Sequence, residues 1–219
     1  MKLMIGVMSD NETISRNCFT SLIDMITEVQ SSGVSIEIVT ASTAPIDQKN
    51  ILLNKLLLSD ADAILVIDGR LSFSPEIVLN MLASGRGFVA GLAANTFFSW
   101  ENMLDKQDVD SLRQSAVSVS ITAPEDEDED GFMQVASADC KFFYVTKKAL
   151  DSVKDKFPTR LVSPDNLTIF FSNAAVQSGD ELIWLSSDEF FCKQMSEAGY
   201  PPAVDARSKV INILGNMLY

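Results

Sequence analysis

Residues 60–82, DADAILVIDGRLSFSPEIVLNML, carry the reading on which the fold rests. AILVI at 63–67 is the most apolar strand-like run in the chain, and it stops at Asp68-Gly69-Arg70. A short apolar run without polar alternation predicts a strand covered on both faces. Ser74-Pro75-Glu76 then predicts a helix start. Serine can cap the exposed N–H groups, and proline suits the first helical position, where no N–H is needed. This helix reads to about Ala83, and GFVAGL at 87–92 reads as the next strand.

Upstream, KLMIGVM at 2–8 reads as a buried strand broken by Ser9, Asp10 and Asn11. Phe19, Leu22, Ile23, Ile26 and Val29 recur at helical spacing before Gly33. SIEIVT at 35–40 alternates and is β-branched, which predicts a strand. Residues 46–58 read as a second helix with Ile51, Leu52, Lys55 and Leu58 near one face. The order βαβαβαβ predicts a mainly parallel sheet with helices on both faces. Downstream, AVSVSIT at 116–122, FMQVASA at 132–138 and FFYV at 142–145 read as later strands joining the sheet, some of them antiparallel. Residues 146–156 and 187–198 read as helices. No repeat or linker interrupts the chain, so the expectation is a single α/β, Rossmann-like domain over residues 1–219. Sheets of this kind bind ligands beyond the carboxyl ends of their strands. Asp68 falls at one such end, and Ser9 and Asp10 at another.

Composition narrows the function. The 219 residues are 47% apolar, enough for one sizeable core. No uncharged apolar run approaches the ~18 residues that would suggest a membrane span. The opening MKLMIGVMSD lacks a small-residue cleavage site, so an intracellular, cytoplasmic protein is expected. A formal charge of −13 opposes nucleic-acid binding, which needs cations against phosphates. Six of the acidic residues form the run 125–130, read as a solvated loop because like charges repel and extend. Cys18, Cys140 and Cys192 are widely spaced with no CxxC pair, and read as buried free thiols. Histidine is absent. That excludes Ser-His-Asp and Cys-His catalysis and every imidazole metal site. Acid–base work then falls to carboxylates, Lys, Tyr or Cys.

Residues 60–82 resemble the segment of GT-A glycosyltransferases in which a strand runs into an Asp-x-Asp motif and a Ser-Pro helix start follows. The flanks are similar too. Residues 40–63 resemble the family's preceding segment, with Lys49-Asn50 where an Arg-Asn pair is usual. GFVAGLAANTFFSWENM at 87–103 and DCKFFYVTKKAL at 139–150 resemble later segments in the right order. LSSDEFFCKQMSEAGYPPAVDARSKVINILG at 185–215 resembles the C-terminal one. Setting Cys192 on that segment's cysteine places Asp188 on its aspartate, with Ser187 where glutamate is usual.

The resemblance implies a GT-A domain that transfers a hexosyl group from a nucleotide-diphospho-sugar to an acceptor, whether glycan, protein or small molecule. It also implies a divalent ion, Mn²⁺ or Mg²⁺, held partly by the Asp-x-Asp motif. Here that motif is Asp68-Gly69-Arg70, and the family's late metal-binding histidine falls on or near Asn212. Such ions take oxygen ligands, whereas arginine brings only fixed positive charge, so two expected ligands are lost together unless the register shifts by a residue or two and a ligand comes from elsewhere. Asp139 and Lys141 replace two small glycines and would crowd a sugar or acceptor pocket.

Two readings follow. In one, transfer is metal-independent and positioned cations stabilise the departing diphosphate. Asp68 and Arg70 then face the diphosphate, Arg70 through paired charge-assisted hydrogen bonds. Ser9, Asp10 and Lys49 lie around the nucleotide, and Lys141 could add a charge. Asp188 takes the acceptor proton, with Glu189 as its neighbour. In the other, the fold persists as a binding or structural protein without catalysis, and Arg70 pairs with a nearby carboxylate such as Asp68 or Asp188. Taken alone, Asp68 could simply end a strand, Asp188 could face a helix dipole, and Ser9-Asp10 could form a turn. Trp100 reads as a half-buried core residue or one facing the sugar, and Phe190 and Phe191 read as core. A nucleotidylyltransferase is disfavoured, because no Gly-rich, Lys/Arg-bearing loop follows the first strand.

Overall fold

The computed structural model describes residues 1–9, 12–92, 121–122, 128–157, 167–179 and 181–205. Three βα units open the chain. They are β1 (Lys2–Met8) and α1 (Arg16–Ser31), β2 (Ser35–Ala41) and α2 (Pro45–Leu58), and β3 (Ala63–Asp68) and α3 (Pro75–Ala83). The short strands β4 (Phe88–Ala90), β5 (Ile121–Thr122), β6 (Phe132–Gln134) and β7 (Ser137–Ala138) follow, then β8 (Phe142–Thr146) and α4 (Lys147–Lys156). A hairpin of β9 (Ala174–Ser178) and β10 (Glu181–Leu185) leads into α5 (Ser187–Glu197), and β11 (Ala203–Asp205) completes the described elements.

The main sheet has seven strands in the order β2-β1-β3-β8-β4-β11-β6. β1 pairs in parallel with β2 and β3, and β4 with β11, while β8 runs antiparallel between β3 and β4 and β6 antiparallel to β11. The fold is therefore α/β with a mainly parallel sheet and antiparallel strands from the second half, as the sequence suggests. Its centre differs in one respect. β4 follows β3 in the chain but is separated from it by β8, because FFYV supplies buried side chains to both faces at that slot.

Alternation along the strands feeds two cores. Met4, Ile64, Val66, Phe143 and Val145 pack under α2, α4 and α5. Leu3, Ile5, Leu65, Ile67 and Phe142 pack under α1 and α3. No helix among the described residues is long and apolar enough to cross a membrane.

Several local readings need correction. In α1 the buried stripe is Cys18, Leu22, Met25 and Val29, whereas Phe19 and Ile23 are exposed. In α2 the buried apolar residues are Leu52, Leu53 and Leu56, one position round the helix from the predicted face, and Leu58 is 87% exposed. Ser74 occupies the N-cap of α3 without a side-chain capping bond, so Pro75 alone marks that start. Phe191 is fully buried but Phe190 only half so. The three cysteines are buried and free, as expected. The acidic run is not merely solvated. Asp128 pairs with Arg86 and accepts the backbone N–H groups of Asp130 and Phe132. Residues 125–127 and most of the predicted strand 116–122 lie outside the described residues, as do Asp10, Trp100 and Asn212.

Candidate functional site

Asp68 ends β3 beside the start of β8, and its backbone N–H donates to the Lys141 carbonyl at 2.8 Å. Its side chain turns to Arg70. Arg70 donates to one carboxylate oxygen from its backbone N–H at 3.0 Å and from Nε at 2.9 Å, and from Nη2 to the other at 2.6 Å. The carboxylate side chain is 10% exposed and the guanidinium side chain 52%. A two-residue loop thus folds arginine back onto the strand's last carboxylate and leaves its head at the mouth of the sheet. Gly69 makes this turn possible. Its N–H donates to the Met8 carbonyl at 2.8 Å, and a Cβ there would sit 2.7 Å from Ile14 Cγ2. The close approach that glycine permits is to the end of β1.

Lys49 and Asp188 meet from α2 and the first turn of α5. Lys49 Nζ lies 2.5 Å from Asp188 Oδ1, and the Cys140 backbone N–H donates to Oδ2 at 3.0 Å. Lys49 also lies over the Phe171 ring at 4.9 Å. Burial pulls the ammonium pKa down, but Asp188 more than offsets this with help from neighbouring groups, and the net shift is upward. The helix start is fixed independently by a capping box, in which Ser186 and Glu189 bond reciprocally. Glu189 is occupied there.

The loop between β7 and β8 contributes Asp139, which the sequence reading treated only as obstruction, and Lys141, which it also offered as an added charge. Asp139 Oδ2 lies 2.5 Å from Lys141 Nζ. Burial pushes the Asp139 carboxyl above its ordinary value, Lys141 opposes this, and Asp188 adds to it. Among the described residues the carboxyl edge therefore holds three aspartate–cation pairs, Asp68–Arg70, Asp139–Lys141 and Asp188–Lys49. Ser9 is near but turned inward. It is buried, its N–H donates to the Ala41 carbonyl at 3.1 Å, and its own carbonyl accepts from Gln48. The sequence signal that could have drawn Asp139 into the site beside Lys141 is their spacing of two just before a buried strand, which puts both at its mouth.

These residues do not suit the divalent ion that a GT-A resemblance implies. Both oxygens of Asp68 face the Arg70 guanidinium, and no group of three Asp, Glu, His or Cys converges among the described residues. A depression of about 810 Å³ lies at the opposite, amino end of β3, beside Asp62, Thr146, Lys147 and Tyr200. It touches none of the predicted site residues. The charged cluster is the better candidate, because ligands of such sheets sit beyond the carboxyl ends.

No protein-family model matches the chain, and no curated protein matches it either. Solved structures do. The chain is similar to A197 from STIV, 16% identical with a TM-score of 0.48, over 95% of this chain and 84% of that one. It is also similar to a mutant β1,4-galactosyltransferase 7 from Drosophila in complex with manganese, UDP-Gal and xylobiose, 13% identical with a TM-score of 0.45, over 96% and 67%. TarS 1-349 from S. aureus is 12% identical with a TM-score of 0.45, over 96% and 59%. At 12–16% identity and TM-scores of 0.45–0.48 these are distant likenesses, and the roles of single residues rest on the geometry above.

Proposed function

We propose that the carboxyl edge of the sheet binds the diphosphate of a nucleotide sugar without a divalent metal, and that the donor's hexosyl group passes to an acceptor. Arg70 is the phosphate-facing cation. The observation that carries this is the Asp68–Arg70 pair, in which the carboxylate orients the guanidinium while 52% of that side chain stays exposed. A pre-positioned arginine suits paired contacts to phosphate and costs little reorganisation on binding. Lys141 adds charge from the adjacent loop. Lys49 acts from beneath, by holding Asp188, and Ser9 shapes the backbone where the nucleotide would lie. Asp188 is the acceptor-side carboxylate.

One observation favours a second reading, binding without transfer. Both oxygens of Asp188 already have partners, Lys49 and the Cys140 N–H, so this carboxylate is a poor proton acceptor as it stands. A thermal-shift panel of nucleoside diphosphates and sugar nucleotides in metal-free buffer tests the shared part of both readings. A ligand of the native state must raise the melting temperature by mass action. Failure of every nucleotide to do so, with and without Mn²⁺, overturns the proposal. Release of sugar by a ligand-stabilised protein separates transfer from binding alone.

A further inference from the structure

Two fully buried thiols lie directly behind the Asp188 contact. Cys140 Sγ and Cys192 Sγ both point at the Ala138 carbonyl oxygen, at 3.6 and 3.8 Å. They come from different elements. Cys140 lies in the β7–β8 loop, and its backbone N–H holds Asp188 Oδ2. Cys192 is one helical turn beyond Asp188 on α5. Cys18 belongs to the opposite core, under α1. Convergence of two cysteines from separate elements on one acceptor goes beyond the ordinary burial of single thiols.

We propose that Cys140 and Cys192 form a dithiol–disulfide pair that small-molecule disulfides can oxidise, crosslinking the β7–β8 loop to α5. The inference does not depend on nucleotide binding. In the first step the Cys140 thiolate attacks a sulfur of the small disulfide, giving a mixed disulfide and releasing one thiolate. Cys192, deprotonated, then displaces the second small thiolate, and the Sγ–Sγ bond forms. The protein loses two hydrogens and the small disulfide is reduced to two thiols, so atoms and electrons balance. In the closed fold burial holds the Cys140 thiol well above its usual pKa, so exchange proceeds through local opening. The crosslink would fix the loop carrying Asp139 and Lys141 against the helix carrying Asp188.

The test is incubation of the native protein with oxidised glutathione, followed by intact-mass measurement and peptide mapping. The expected result is a loss of ~2 Da, a Cys140–Cys192 peptide and a free Cys18. The melting temperature of that form should rise by roughly 5–10 °C, as for a crosslink closing a long loop. Cys18→Ser should oxidise like wild type, and Cys140→Ser and Cys192→Ser should not lose the 2 Da. Persistence of three free thiols in protein that remains folded throughout, stable glutathione adducts without an internal crosslink, or a crosslink involving Cys18 would overturn the proposal.

Discussion

Lys49 Nζ on α2 sits 2.5 Å from Asp188 Oδ1 on α5, with the two side chains 9% and 22% exposed. The pair joins two helices on one face of the sheet behind the charged mouth. Replacing one partner leaves the other charge buried without a counter-ion. Asp188→Asn should therefore cost about 3 kcal/mol in urea unfolding, and Lys49→Met a similar amount. The double variant Lys49→Met/Asp188→Leu should recover much of that loss, since two apolar groups need no pairing. Additive losses would show that the two residues act separately.

Asp139 sets a pH dependence of definite sign. Its folded pKa lies above the ordinary 3.8, with burial the largest cause, so the folded state holds the proton more tightly than the unfolded chain. Its contribution to stability should fall as pH rises from 3.8 through the raised value, and be level above it. Asp139→Asn should remove that downward slope from the difference between wild-type and variant stability curves. An unchanged slope would place the carboxyl in water.

Asp128 should matter more than its neighbours in the acidic run. It pairs with Arg86 and accepts two backbone N–H groups that turn the chain into β6. Asp128→Ala should cost about 1 kcal/mol, the scale of such bonds, whereas exposed Glu129→Ala should stay within about 0.5 kcal/mol. Equal effects on thermal unfolding would return the whole run to solvent.

Gly69 should tolerate no side chain. A Cβ would lie 2.8 Å from the Met8 carbonyl oxygen and 2.7 Å from Ile14 Cγ2. Gly69→Ala should cost roughly 1–3 kcal/mol by overpacking and displace Arg70 from Asp68. An unaltered midpoint in urea would mean that the turn can relax at no cost.

Much of the fold was legible because its signals are local. Apolar runs and Pro75 mark β1 to α3 without knowledge of the rest of the chain. What failed was the choice of face. Phe19, Ile23 and Leu58 are as apolar as the residues that are buried, and only their tertiary neighbours decide which stripe is covered. The placement of β8 between β3 and β4 is likewise a long-range choice. The β9–β10 hairpin was missed although Gly179 takes a positive φ of 61°, a turn signal before ELIWL. At the site, Asp68, Arg70, Lys49 and Asp188 could be singled out, and Asp68 as a partner for Arg70, but not the pairing of Lys49 with Asp188. Lys49 and Asp188 are 139 positions apart, and no spacing rule connects them.

The central claim is that Arg70, oriented by Asp68, binds a diphosphate without metal. Calorimetric titration of wild type and Arg70→Ala with a panel of nucleoside diphosphates, in buffer containing EDTA, tests it most directly. Wild type should bind in EDTA, and the variant, less stable because Asp68 loses its guanidinium partner but still folded at the titration temperature, should bind more weakly by roughly 1.5–3 kcal/mol, the worth of hydrogen bonds to a charged group. Binding that vanishes in EDTA, no binding by wild type, or equal affinity in the two proteins would contradict it.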